Sequence, residues 1–367
     1  MNKLVFANLV HRPMRSVISA FAIAIEVVMI LSVAAIFLGQ IDGTKGRTNG
    51  IGADLIVAPP GSSFISALGS SPVPAKNVEA LRKLPHVAAA SPVIQKTLLG
   101  ASVEVLYGID YPSFNELKPF VFKAGGPFQQ SNDVIIDDIF ASSDKGYKVG
   151  DTIQIMNHPF HICGIVESGK GGRKMIQITT LGEMTGAENK ATLFYVKADS
   201  SANVTVIKNE VLAFPGFQAY QVWSLDEWLS LMTPAHIPGF NIALNVVTTI
   251  ATLVGFLVIF LSMYTAILER TREIGILKSM GASKATIVSM VLRESVVMGI
   301  AGIILGLALT LIIHQVLLMR NPTLLFEITQ AWIIRACVIA FLGTVIGAAY
   351  PAWLAARKDP IDALAYE

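Results

Sequence analysis

Residues Glu269–Ser295 read ERTREIGILKSMGASKATIVSMVLRES, and this stretch decides how the rest of the chain is interpreted. It carries five basic and three acidic side chains, yet it lies between two long apolar runs, Ile242–Leu268 and Val296–Leu318. A charged, helix-prone segment that is joined to apolar runs at both ends suits a lever on which a soluble partner can push. The pattern therefore predicts a membrane protein with a short polar helix at one membrane surface.

The composition supports this interpretation. Of the 367 residues, 53% are hydrophobic and only 15% are charged, which excludes an ordinary soluble enzyme. A helix needs about 20 apolar residues to cross the hydrocarbon core of a bilayer. Four stretches meet this requirement: Val17–Leu38, Ile242–Leu268, Val296–Leu318 and Ala336–Ala356.

The distribution of basic residues predicts the orientation of these spans. Lys3, Arg12 and Arg15 precede the first span, and Arg357 and Lys358 follow the fourth. Five further basic residues lie in Glu269–Ser295, whereas the short loop between the third and fourth spans has Arg320 and, at its edge, Arg335. By the positive-inside rule, both termini and residues 269–295 are cytoplasmic and the region between the first two spans is extracytoplasmic.

The expected fold class is an α-helical membrane protein with four transmembrane helices and an inserted α+β extracytoplasmic domain. Leu4, Val5, Leu9 and Val10 recur at helical spacing before Pro13, which predicts an amphipathic helix along the inner surface. The predicted segments are an amphipathic helix (1–16), a first span (17–40), the extracytoplasmic domain (41–237), a second span (240–268), a cytoplasmic coupling segment (269–294), a third span (295–318), an extracytoplasmic loop (319–332), a fourth span (333–356) and a cytoplasmic tail (357–367).

Within the extracytoplasmic domain, short β-like runs alternate with Gly, Pro, Asn and Asp clusters. Helices are predicted at Ala75–Lys83, Asn203–Val211 and Ser224–Met232. The predicted strands are Asp54–Ala58, Ala88–Ile94, Val103–Gly108, Asp133–Ile136, Thr152–Met156, His161–Val166, Ile176–Thr180 and Thr192–Val196.

Motifs for catalysis are absent from the sequence. Residues 164–171 have the G-x-x-x-x-G-K spacing of a phosphate loop, but Gly171 stands where a magnesium-binding hydroxyl is needed, so a glycine-rich hairpin tip is the favoured interpretation. His158 and His161 lack a third ligand for a metal, and no nucleophile motif occurs. We therefore expect no catalytic residues, no metal site and no cofactor in this chain, and no nucleic-acid partner. Any ATP hydrolysis must come from another chain.

Polar residues inside two of the spans are candidate functional groups. Glu26 lies in the first apolar run, where a carboxylate costs at least ~2.5 kcal/mol unless it is protonated, paired or hydrated. It is a candidate for a substrate cavity or dimer interface, with Met29 nearby on the same helical face. The alternative is a hydrogen-bonded glutamate that only holds helices together. In the second span, a polar stripe that includes Asn241, Asn245 and Thr248 either contacts a neighbouring helix or lines a hydrated cavity.

The segment 269–295 contains signals for two helices and a turn between them, which a simple charged linker does not need. Ile274, Ile276, Leu277 and Met280 are predicted to form an apolar face, with a helix stop at Gly281. Ser283 is predicted to cap a second helix that runs into the third span. In the third and fourth spans, Gly302–Gly306 and Gly343–Gly347 are G-x-x-x-G pairs, which predict close helix packing.

Several of these stretches resemble the signatures of one family. RTREIGILKSMGAS at 270–283, NLVHRPMRS at 8–16 and AARKDPIDAL at 355–364 are similar to the characteristic stretches of the MacB/FtsX-like ABC transporter permeases. VLYGID at 105–110 and VGDTIQI at 149–155 resemble the periplasmic core domain of that group. The resemblance covers nearly the whole chain.

The resemblance implies a mechanism. Such permeases form dimers, bind two copies of an ATPase subunit that carries the ATP and magnesium, and pass ATPase closure through a coupling helix to the outer domains. Transferred by position, the ATPase contact comprises Thr271, Arg272, Glu273, Ile274, Ile276, Leu277 and Met280. The expected function is export or extraction of a hydrophobic or amphipathic substrate across the bacterial plasma (inner) membrane, with a periplasmic adaptor as a further candidate partner. The alternatives are an FtsX-like regulator, which moves no substrate and acts on a cell-envelope partner, and a sensor for peptide antibiotics.

Overall fold

The computed structural model describes residues 13–62, 71–99, 103–143, 146–236, 239–320 and 323–357. They divide into two compact units. The described residues of the first unit come from Met1–Gly39, Gly239–Leu318 and Phe326–Glu367, and those of the second come from Gln40–Pro238 and Met319–Leu325. Most of the predicted N-terminal amphipathic helix and of the C-terminal tail lies outside the described residues.

The first helix, α1, runs from Pro13 to Asn49 and is therefore longer than the span predicted for residues 17–40. Its 37 residues correspond to about 55 Å, well beyond the ~30 Å of a hydrocarbon core. The helix continues through Gly43 and Gly46. Ile41 packs against a core of the second unit, and the Thr44 hydroxyl donates to Gln40 O at 2.8 Å.

The second unit is an α+β domain built on a mixed sheet of ten strands. Its strands are β1 (Leu55–Ala58), β2 (Val73–Pro74), β3 (Val87–Leu99), β4 (Val103–Ile109), β5 (Phe122–Gly125), β6 (Asp133–Asp137), β7 (Thr152–Ile155), β8 (His158–Val166), β9 (Lys174–Gln177), β10 (Lys190–Ala191), β11 (Leu193–Ala198) and β12 (Gln221–Ser224). Its helices are α2 (Val78–Arg82), α3 (Tyr111–Leu117), α4 (Asp138–Ala141), α5 (Ile178–Thr185), α6 (Val204–Ala213) and α7 (Leu225–Leu231).

The strand order in the large sheet is β12-β1-β11-β3-β4-β9-β6-β8-β5, with β7 paired to β8, while β2 and β10 form a separate pair. The β4–β9 and β6–β8 pairs are parallel, and the other pairs are antiparallel. Successive residues of β1 pack on opposite faces of the sheet. Ile56 packs with α3 and α7 on one face, and Leu55 and Val57 pack with α2 and α6 on the other. Apolar side chains thus cover both faces of the sheet, which gives this unit cores of its own.

One predicted strand is wrong in its position and extent. Ile176–Thr180 was expected to be extended, but β9 ends at Gln177 and α5 begins at Ile178. The helix ends at Gly186, which has a left-handed φ of 67° and closes its last turn. Burial of Leu181 against the sheet stabilises a helix in a segment whose β-branched residues favour a strand.

The first unit is a bundle of apolar helices. In addition to the first part of α1, it contains α8 (Phe240–Glu269), the short α9 (Thr271–Ser279), α10 (Lys284–Arg320) and α11 (Gln330–Arg357). The helices α1, α8, α10 and α11 are long and apolar enough to cross a membrane. The chain is therefore a four-span membrane protein with an inserted α+β domain, which is the predicted fold class.

Glycines allow the membrane helices to approach closely. A Cβ at Gly302 would lie 2.6 Å from Ile23 Cβ and 2.7 Å from Ala20 O of α1, and one at Gly306 would lie 2.8 Å from Val27 Cβ. A Cβ at Gly347 would lie 3.1 Å from Phe256 O of α8. Close packing is thus confirmed for Gly302, Gly306 and Gly347, whereas the predicted close approach at Gly343 is wrong, since its nearest contact would be at 3.9 Å.

We expect Gly302→Val to lower the free energy of unfolding by about 1–3 kcal/mol, because the new side chain overlaps α1. Thermal unfolding in detergent micelles checks this prediction. Ala301→Val is the matched control, since Ala301 is the preceding residue of α10 and is exposed. Equal stability of the two variants would show that α1 moves away from Gly302 at no cost.

Candidate functional site

The short helix α9 forms the elbow between α8 and α10. At its start, the Thr271 hydroxyl donates to Ile267 O at 3.0 Å and Leu268 O at 2.9 Å, which ties the helix to the end of α8. At its end, Ala282 N donates to Leu277 O at 3.0 Å, and Gly281 has a φ of 93° that suits glycine. Ser283 Oγ then accepts from Thr286 N at 3.2 Å as the cap of α10. The predicted helix–glycine–helix elbow is confirmed.

The predicted apolar face of α9 is wrong in its composition. Ile274 is buried and Leu277 is half-buried, and both pack against the helix-bundle core. Ile276 and Met280 point away from that core, with 43% and 71% of their surfaces exposed. Residues two positions apart lie on nearly opposite sides of a helix, so Ile274 and Ile276 cannot share one face. The apolar residues of α9 therefore serve two faces, one packed and one open.

The open face of α9 combines apolar and charged side chains. Arg272 and Glu273 are exposed beside Ile276 and Met280, whereas Thr271 is buried. Of the seven residues in the predicted contact set, the structure thus places four outward and three inward or partly inward. Exposed apolar residues bordered by charges are a common composition for a protein-binding surface.

A buried ion pair holds the base of α9, and the sequence reasoning missed it. Arg270, the residue before α9, donates from Nη1 to Glu294 Oε2 in α10 at 3.2 Å, and both side chains are more than nine-tenths buried. The pair borders a small cavity of about 30 Å³ whose other lining residues are apolar except for Glu273. The sequence did contain one sign of this pair. Glu294 is a carboxylate beside an apolar run, and its spacing places it on the same helix face as the buried Val291 and Met298.

A second contact joins α9 to the end of α11. Lys278 Nζ donates to Ala356 O at 3.0 Å, one residue before α11 ends at Arg357. A cationic side chain at this position also interacts favourably with the negative end of the helix dipole. The helix α9 is thus joined to α8, α10 and α11 through named contacts.

Glu26 is buried among membrane helices within one chain. A Cβ at Gly255 of α8 would overlap its carboxylate, and a Cβ at Gly343 of α11 would lie 3.9 Å from Oε1. Neither oxygen accepts a hydrogen bond from any residue that the structure describes. Met29, three residues further along α1, has 38% of its surface exposed, whereas Glu26 is buried.

The polar stripe of α8 faces mainly outward. Asn241 and Asn245 are exposed and Thr248 is half-buried. The Thr252 hydroxyl, next along the stripe, donates to Thr248 O at 2.8 Å within the same helix. The structure therefore leaves the two asparagines uncovered in the single chain and does not bring them to Glu26.

The glycine-rich segment that resembles a phosphate loop does not form one. It connects β8 to β9, and because β6 lies between those strands, it is not the predicted hairpin tip either. The Lys170 ammonium donates to Lys118 O and Pro119 O and lies 4.6 Å from the centre of the Phe120 ring. Burial lowers the pKa of Lys170 to about 8. This lysine is occupied by the domain itself and is not available to a phosphate.

Clusters of three or more metal-ligating side chains do not occur among the described residues. His158 and His161, the pair that the sequence offered, are both exposed on β8. The His161 ring nitrogen Nδ1 is 3.1 Å from the Thr152 hydroxyl.

Comparison with known proteins agrees with this arrangement. Residues 245–360 match the FtsX-like permease C-terminal family, and residues 16–214 match the MacB-like periplasmic core domain. The macrolide export ATP-binding/permease protein MacB of Hahella chejuensis is 25% identical over 395 residues, which cover 100% of this chain and 60% of that protein. MacB of Escherichia coli K12 is 26% identical, with 96% of this chain and 58% of that protein covered. The chain thus spans about 60% of the length of these relatives.

A relative of similar length and two solved structures complete the comparison. The uncharacterized ABC transporter permease YvrN of Bacillus subtilis is 23% identical, and 100% of this chain and 99% of that protein are covered. The extracellular domain of YknZ from Gram-positive bacteria aligns with a TM-score of 0.37 at 15% identity, covering 47% of this chain and 99% of that one. The periplasmic region of MacB from Actinobacillus actinomycetemcomitans gives 0.37 at 14% identity, with 48% and 92% covered. The two family matches together span both units of the structure, and this chain belongs to the MacB-like and FtsX-like family of ABC transporter permeases.

Proposed function

We propose that this chain couples ATP hydrolysis by a partner ATPase to the export or extraction of a hydrophobic or amphipathic substrate. The observation that carries this proposal is the geometry of α9, which is held to α8, α10 and α11 while Ile276 and Met280 stay exposed. A docked ATPase would push on this open face, and the packed face would pass the displacement to the membrane helices. Closure of the ATPase would then move the outer domain, a mechanism known as mechanotransmission.

The proposed assembly contains two copies of this permease and two ATPase subunits that hold ATP and magnesium. Its location is the plasma (inner) membrane, with both termini and α9 in the cytoplasm. The excess of basic residues around α9 supports this orientation. The macrolide-export names of the relatives support an amphipathic substrate.

Reconstitution tests the function directly. The permease is purified with a partner ATPase and placed in liposomes, and ATP-dependent movement of labelled amphiphiles is measured. We expect transport that stops when the ATPase cannot hydrolyse ATP. An intact complex that hydrolyses ATP but moves none of the amphiphiles would instead favour the regulator, which acts on a cell-envelope partner.

Glu26 is proposed as a functional group of this transporter. We expect Glu26→Ala to keep assembly with the ATPase but to lose transport or substrate-stimulated ATP turnover, because a buried carboxyl is costly in a membrane and is retained where it serves a function. Transport assays and co-purification check both parts. Thr344→Ala is the matched control, since Thr344 is buried on the neighbouring α11 and, within the part of the chain that the structure describes, its hydroxyl donates only to Ala340 O of its own helix, at 2.7 Å. Full transport with the alanine variant would make Glu26 a packing group.

A further inference from the structure

A series of half-buried aromatic side chains runs along one face of α8. Phe256, Phe260 and Tyr264 are spaced four residues apart, which places them on one face of the helix. Their ring centroids are separated by 6.1 Å at each step, with nearly parallel planes. Over eight residues the series extends about 12 Å along the helix axis.

The series continues on the neighbouring helix α11. The Tyr350 ring lies 5.9 Å from the Phe260 ring, and the Trp353 ring lies 6.0 Å from Tyr350. The Arg357 guanidinium then lies 4.0 Å above the Trp353 ring. Tyr350 and Trp353 expose 54% and 45% of their surfaces. We call these five rings and Arg357 the aromatic ladder.

The end of the ladder lies on the same side of the membrane as α9. Arg357 is the last residue of α11, and Lys278 of α9 donates to Ala356 O beside it. Trp and Tyr residues favour the boundary between acyl chains and headgroups, and an arginine beyond them reaches the level of the lipid phosphates. The ladder thus extends from the hydrocarbon region to the headgroup region of one leaflet.

The charge around this end selects the type of headgroup. Residues 269–295 carry five basic and three acidic side chains, and Arg357 adds another positive charge. A guanidinium that stacks on an indole can still donate from its edge to phosphate oxygens. Positive charge at this depth attracts anionic lipids by about 1 kcal/mol per arginine or lysine near the surface, which corresponds to about fivefold in affinity.

We propose that the aromatic ladder binds one anionic phospholipid of the leaflet on the α9 side. An acyl chain lies along Phe256, Phe260 and Tyr350, and the lipid phosphate accepts hydrogen bonds from Arg357. This site is distinct from the proposed ATPase contact, since it uses aromatic side chains of α8 and α11 and not the open face of α9.

The other end of α11 offers a matched control. There the Arg335 guanidinium lies 5.2 Å from the Trp332 ring, so the same residue types meet at the opposite membrane surface. Among the described residues, no further ring continues that pair into a ladder. A lipid selectivity that depends on the ladder should therefore appear at Trp353 and not at Trp332.

Quenching of tryptophan fluorescence by brominated lipids tests the proposal on the full chain in nanodiscs. In a Trp332→Phe background, we expect brominated phosphatidylglycerol to associate with Trp353 about fivefold more strongly than brominated phosphatidylcholine. Arg357→Gln should remove this preference, Arg357→Lys should keep most of it, and Arg335→Gln should leave it unchanged. Phe260→Leu with Tyr350→Leu should weaken the association of both lipids.

Two results would overturn the proposal. Equal quenching by the two brominated lipids would show that the ladder contacts the membrane without selecting a headgroup. A preference for phosphatidylglycerol that persists in Arg357→Gln would place the selective contact elsewhere. Thermal unfolding of each variant confirms that it is folded, and because no ATPase is present, the outcome is independent of the proposed transport function.

Discussion

Replacing Glu294 by alanine is expected to lower the free energy of unfolding by about 3–5 kcal/mol, because the variant removes one partner of a buried ion pair. The two side chains lie 3.2 Å apart with at most 9% of either exposed. Water cannot easily solvate the remaining guanidinium, so the cost exceeds that of losing a surface ion pair. The change in the free energy of unfolding is measured by chemical unfolding in detergent micelles, with tryptophan fluorescence as the signal.

A double variant and a matched glutamate make this prediction specific. Arg270→Met combined with Glu294→Leu should recover most of the lost stability, since neither buried charge is then present. Glu273→Ala should change the free energy of unfolding by less than about 0.5 kcal/mol, because Glu273 borders the same cavity but is exposed to solvent. If Glu294→Ala costs no more than Glu273→Ala, the ion pair does not stabilise the elbow.

Aspartate at both Ile276 and Met280 is expected to weaken ATPase binding at least about tenfold, which corresponds to about 1.4 kcal/mol. In the proposed complex these two side chains enter an apolar part of the interface, where two unpaired carboxylates would be desolvated. Their exposure means that the substitution should cost little folding stability. Affinity for the ATPase and stimulation of its ATP turnover are the measurements.

Val206→Asp provides the control for this second prediction. Val206 has the same 43% exposure as Ile276, but it lies on α6 in the extracytoplasmic domain. We expect the control to bind the ATPase as the unmodified chain does. Unchanged affinity in the α9 variant would exclude its open face from the ATPase contact.

Local patterns predicted much of this architecture. Length and hydropathy were sufficient for the four membrane helices, because spanning a bilayer requires a long apolar run. The stop at Gly281 and the cap at Ser283 were also predictable, since both depend on bonds within a few residues of sequence. Predictions failed where packing overrides local preference, as at α5, which begins at Ile178 within a predicted strand.

The candidate site was only partly predictable for the same physical reason. The sequence located α9 and its apolar residues, but four apolar side chains in seven positions do not reveal which of them a bundle will bury. The structure assigned Ile274 and Leu277 to the inside and Ile276 and Met280 to the outside. The structure thus shows that the predicted contact residues lie on two sides of α9, one packed against the bundle and one exposed.

By itself, the sequence determined the membrane class, the inserted domain and the position of the elbow, because each depends on composition and short-range spacing. Only the tertiary structure decided which distant groups meet. Arg270 pairs with Glu294 across 24 residues, Glu26 lies against Gly255, and the ladder joins Phe260 to Tyr350. Such contacts are set by the rotation and close approach of whole helices, which depend on packing along their full length and not on any local signal.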